Sequence, residues 1–144
     1  MADAKESIDL PAWRDGRLPV LLLGLLFLPT SLQATFFPRG FFDDFPLGRS
    51  WISNGSIYNE HLVRDVGALF LAMVIVSLLA WSRPALCWPV SIAWLVQGIL
   101  HLTFHGRHLA GYQTIDKVGL VGSLVVVPLL AVWGLLTAQR DPRG

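Results

Sequence analysis

The chain has 144 residues, of which 53% are hydrophobic and 15% charged, with a mean hydropathy of +0.55. An average soluble protein carries about 25% charged residues, so the deficit argues against a soluble domain, and a formal net charge of +1 excludes the concentrated basic face that nucleic-acid binding requires. A single cysteine, Cys87, rules out an intrachain disulfide and a thiolate zinc cage.

Residues 1–17 read as a polar cytoplasmic tail, with Lys5, Arg14 and Arg17 among Asp3, Glu6, Asp9 and Asp15. A first apolar stretch follows over about 18–36, interrupted by Pro29, Thr30, Ser31 and Gln33. Roughly 20 apolar residues span a bilayer, so its length suffices. The alternative of a cleaved leader is disfavoured by the acidic start and by Leu32-Gln33-Ala34, which makes a poor small-residue cleavage site.

Residues 37–61 form a connection far longer than the usual handful of loop residues. Phe41, Phe42, Phe45, Leu47, Trp51 and Ile52 alternate there with charges, which predicts an ordered extracytoplasmic segment on the bilayer surface, resting on lipid or lidding a site. The second span covers about 62–81 and ends at Ser82-Arg83-Pro84, since the residue before a proline avoids helix geometry. The third covers about 85–105, so spans two and three are expected to form a tight antiparallel hairpin. The fourth covers about 115–136 with Pro128 inside it, which neighbouring helices can satisfy. Gly119-x3-Ser123 in this span is a small-x3-small pattern that permits close helix approach. Residues 138–144 make a second cytoplasmic tail. Trp13, Trp51, Trp81 and Trp88 fall near span ends, where interfacial belts place tryptophan.

The expected fold is therefore all-α: one four-helix transmembrane bundle over 18–137. Lys5, Arg14, Arg17, Arg83, Arg140 and Arg143 fall on one side and Arg39, Arg49, Arg107 and Lys117 on the other. That bias predicts a multi-pass protein of the cell membrane with both termini cytoplasmic.

All four histidines lie in two pieces, Tyr58-Asn59-Glu60-His61-Leu62-Val63-Arg64-Asp65 and His101-Leu102-Thr103-Phe104-His105-Gly106-Arg107-His108. Residues three and four apart share a helix face. His61, Arg64, Asp65, Ala68 and Ala72 then form one stripe, and Gln97, His101, Phe104, His105 and His108 another, expected to face each other inside the bundle with Asp116 nearby. Ionisable groups within a membrane cost roughly 2.5–3.5 kcal/mol on insertion scales and are normally kept for a pathway, a ligand or a partner.

Three readings stay open. In the first, His61, His101 and His105 bind a metal ion, with His108 as a further ligand and Asp65 and Glu60 as ligands or orienting acceptors. Such a set suits zinc, copper or iron, and His61 on one helix with His101 or His105 on another could hold a non-covalent haem. His101-x3-His105 and His105-x2-His108 echo the histidine boxes of membrane di-iron oxygenases, which use more histidines than this chain has. In the second reading His61, polarised by Asp65, performs acid-base chemistry on a lipid-soluble substrate while Arg64 steadies a developing negative charge. In the third the polar groups pin helix ends, through Glu60 with Arg64 and His61 with Asp65 as i,i+4 pairs, or bind a partner helix in a homo-oligomer or larger membrane complex. Cys87 lies at the opposite membrane side and reads as packing.

The strings Tyr58-Asn59-Glu60-His61-Leu62-Val63-Arg64-Asp65-Val66-Gly67 and His101-Leu102-Thr103-Phe104-His105-x2-His108-Leu109 resemble those of small four-span membrane proteins of actinobacterial type. The resemblance would cover about 36–137 and implies that the two motifs belong together; it brings no activity with it.

Overall fold

A computed structural model describes residues 11–138; Lys5, Arg140 and Arg143 and most of the two expected tails lie outside the described residues. Five α-helices run in the order α1 (Arg17–Phe36), α2 (Pro38–Asp44), α3 (Glu60–Ser82), α4 (Cys87–Arg107) and α5 (Thr114–Thr137), with a 3-10 turn at Pro84–Leu86. α1, α3, α4 with its preceding turn, and α5 are each long and apolar enough to cross a membrane. The chain is thus an integral, multi-pass membrane protein.

Local sequence sets the helix limits. α1 runs through Pro29 and stops at Phe37, whose backbone turns out of the helix before Pro38; Pro38 then starts α2 at a position where its missing N–H costs nothing. Asn59 caps α3, its side chain accepting the Leu62 N–H at 3.1 Å, and Glu60 stands in the first turn, where a carboxylate suits the positive helix end. Arg83 closes α3 and Pro84 opens the turn into α4. A Cβ built on Gly16 would come within 3.1 Å of both Ala138 and Cys87, so the starts of α1 and α4 and the end of α5 meet at one end of the bundle, here the terminal end. The opposite, or loop, end carries α2.

Spans two and three do turn tightly at Pro84, but they do not pack along their lengths as a hairpin. α3 lies principally against α1, and α4 against α5. Glycines explain the choice, because in lipid there is no hydrophobic force between helices and close packing decides. Gly67 lets α3 approach so near that an added Cβ would meet the Thr35 nitrogen at 2.6 Å and the Ala34 carbonyl carbon at 2.8 Å. Gly24 rests on Ser77 in the same pair. In the other pair Gly98 accepts Val127 and Pro128, and Gly134 accepts Ser91.

The two pairs join in the terminal half. Val20, Leu23, Ala80, Cys87, Val90, Trp94, Val127 and Ala131 form the buried core there. Trp94 is fully buried, donates its indole N–H to Ser77 Oγ at 2.9 Å and contacts Phe27 and Phe70. Beyond this aromatic layer, toward the loop end, the core gives way to a cavity.

Candidate functional site

The cavity occupies about 550 Å³ between the two helix pairs, within the ~300–1,000 Å³ common for small-molecule sites. Phe27 and Phe70 line it on the side of Trp94. Leu62, Val63 and Val66 of α3, and Leu120, Leu124 and Val127 of α5, supply aliphatic wall. Phe41, Phe45, Pro46, Trp51 and Ile52 of the first connection complete the lining. The first connection is therefore a lid on the site, and it includes a helix, α2, that alternating aromatics and charges alone did not reveal.

Long-range polar contacts fasten this lid. Asp116, in the first turn of α5, accepts from Arg49 Nε and, at 2.9 Å, from the indole N–H of Trp51. Tyr112 donates its hydroxyl to the Trp51 carbonyl at 2.6 Å, and the Asn54 amide donates to the Ala110 carbonyl at 3.3 Å. Ser50, with φ +55°, bonds back to the Asp43 carbonyl, a left-handed backbone that a non-glycine residue rarely adopts. Trp51 is consequently turned inward, onto the cavity. Gly119 serves the same end: an added Cβ would come within 3.2 Å of the Trp51 ring. The small residue expected to admit another helix admits an indole instead. Asp116 belongs to this latch and not to a histidine cluster.

The far end of the lid returns to α3 through Tyr58, whose ring meets Phe42 edge-on at 5.2 Å and lies 4.7 Å beneath the Arg39 guanidinium. Partial desolvation, and then the neighbouring Glu60 carboxylate, raise the Tyr58 phenol above its ordinary value near 10.

Of the expected site residues, His101 and His105 reach the cavity wall. They stand one turn apart on α4 with ring centroids at 4.7 Å and an edge-to-face orientation. Among the described residues they are the only ionisable side chains in the lining, beside the hydroxyls of Thr30 and Ser123. His108 is exposed: its ring stacks on Phe104 at 4.3 Å, and Nδ1 lies 2.7 Å from the Phe104 carbonyl oxygen.

The α3 stripe is rotated away from the expected direction. His61 and Asp65 form an i,i+4 pair at 3.3 Å, but their side chains are 87% and 57% exposed. Glu60 accepts from Arg64 Nε at 2.9 Å, and Arg64 also donates to the Thr35 carbonyl at 2.6 Å, tying α3 to the last turn of α1. Ala68 and Ala72 face outward with them. The inward stripe is Leu62, Val66 and Phe70, because seating Gly67 on Ala34 and Thr35 turns these residues to the cavity. The two histidine-bearing stripes therefore do not face each other, and among the described residues no group of three or more His, Cys, Asp or Glu is gathered as a metal centre. The i,i+4 pairs read from the sequence exist as pairs at the surface of α3.

Compared with family models, curated proteins and solved structures, the chain matches none.

Proposed function

We propose that this chain is a cell-membrane protein with cytoplasmic termini that binds a lipid-soluble ring compound bearing a hydroxyl or carbonyl group. The observation that carries this reading is the placement of His101 and His105 as the sole ionisable groups, among the described residues, on an otherwise apolar, aromatic-rich cavity wall. Five aromatic side chains, Phe27, Phe41, Phe45, Trp51 and Phe70, offer ring faces and edges to a flat ligand. An imidazole both donates and accepts hydrogen bonds, so the pair can hold a ligand hydroxyl or carbonyl and move a proton to or from it.

The test is a titration of the protein in lipid nanodiscs with a decyl-substituted benzoquinone and its hydroquinone, followed by tryptophan quenching. Saturable binding of one ligand per chain, weakened when His101 and His105 are both changed to Ala, supports the reading. Absence of saturable binding, or equal binding in the double variant, overturns it.

A second reading uses the same two rings as nitrogen donors to a zinc, copper or iron ion, or one of them as the single protein ligand of a non-covalent haem. It is favoured by their spacing of one turn and the apolar cavity before them. Elemental analysis and an absorption spectrum of chelator-free protein decide it: about one metal per chain or a Soret band, lost in His101→Ala or His105→Ala, supports a cofactor.

A further inference from the structure

The cavity is closed toward the water at the loop end and open toward the bilayer at its sides, most widely between α3 and α4, which pack against each other less than α1 and α5 do. The closure is the lid, fastened to α5 through Asp116 and to the α4–α5 connection through Tyr112 and Ala110, while α2 packs against α3. The wider seam runs between α3 and α4. Trp94 and Ser77 bridge these helices in the terminal half. From there to the loop end, among the described residues, no hydrogen bond or ion pair crosses from α3 to α4. Leu62 and Val66 edge the seam; they line the cavity and are nevertheless 59% and 40% exposed. The opposite seam, between α1 and α5, also shows lining residues to the outside, Leu26 and Val126 at 46% and 42% exposed, but these two helices pack more closely and Trp51, seated on Gly119, covers their loop end.

From this arrangement we infer that the ligand enters and leaves sideways from the hydrocarbon, between α3 and α4, with His101 and His105 meeting its polar group as it passes. The inference rests on the ligand class proposed above. A molecule dissolved in the bilayer already lies at the depth of the seam, and reaching the cavity this way leaves the latch on Asp116 intact. Passage through the lid would require breaking the Trp51 and Arg49 bonds and transferring the whole apolar ligand through water.

The distinguishing experiment is stopped-flow quenching in nanodiscs with a series of benzoquinones whose alkyl tails differ by single methylenes, each set to the same mole fraction in the lipid. At fixed membrane content, each added CH2 lowers the aqueous concentration about fourfold. Lateral entry predicts an association rate that stays constant along the series, whereas a rate falling about fourfold per CH2 would overturn it. Val66→Trp narrows the seam and is expected to slow association; Leu129→Trp, on the outer face of α5 and off the cavity wall, is expected to leave the rate unchanged. The reverse pattern would also overturn the inference. Failure of the wild-type protein to bind any member of the series removes the functional reading, and the route with it.

Discussion

The indole N–H of Trp51 donates to the carboxylate of Asp116 at 2.9 Å, across 65 positions of sequence. Arg49 bonds the same carboxylate, so one partly buried acid holds two residues of the lid over the cavity. Asp116→Ala strands both donors, and a lost hydrogen bond with an unpaired buried partner costs about 1–3 kcal/mol. We expect a lowered Tm in detergent and red-shifted emission from Trp51, assigned by its absence in Trp51→Phe. Asp116→Asn, which still accepts from the indole, should recover part of the loss.

The histidines divide into two classes by position. His101→Ala or His105→Ala should each weaken binding of the benzoquinone probe by roughly tenfold, the equivalent of one lost hydrogen bond at the upper end of its usual range. His61→Ala and His108→Ala, whose rings lie off the cavity wall, should leave the Kd within about twofold. Quench titrations of the four variants check this, and a dominant effect of His61 would reverse the assignment.

Helix pairing depends on glycine at specific points. Gly67→Ala places a Cβ against backbone atoms of Ala34 and Thr35, which cannot rotate away as a side chain would. Overpacking of this kind costs about 1–3 kcal/mol, and we expect Gly67→Ala to lower Tm or reduce the folded yield. Gly122→Ala, where an added Cβ meets nothing within 4 Å, should match the parent protein in the same thermal melt.

Tyr58 supplies a pH signature outside the membrane spans. Its phenol is raised above the ordinary value near 10, first by desolvation and then by Glu60, so folding favours the neutral form. The stabilisation is complete below the unfolded value and is lost as pH rises through the folded one. Ultraviolet titration should show phenolate forming above pH 10, with the late component absent in Tyr58→Phe. Glu60→Gln should shift that component downward.

Much of the architecture was legible in the sequence because lipid imposes it. Length and apolarity marked four spans whose ends fall within a few residues of α1, α3, α4 and α5, and Pro84 marks a boundary through local chemistry. The Glu60–Arg64 and His61–Asp65 pairs were also legible, since they depend only on helical spacing.

Which face of each span turns inward was decided by tertiary structure. In water an amphipathic stripe reports its own direction, but a span apolar on all sides carries little contrast between bundle and lipid, and the polar stripe of α3 turned outward when Gly67 met Ala34 and Thr35. The latch from Arg49 and Trp51 to Asp116 was likewise invisible, because no local periodicity relates residues so far apart. The sequence alone determined a four-span membrane protein with its histidines at one end; only the packing of α3 on α1 and α4 on α5 decided that His101 and His105 face a cavity while His61 and Asp65 do not.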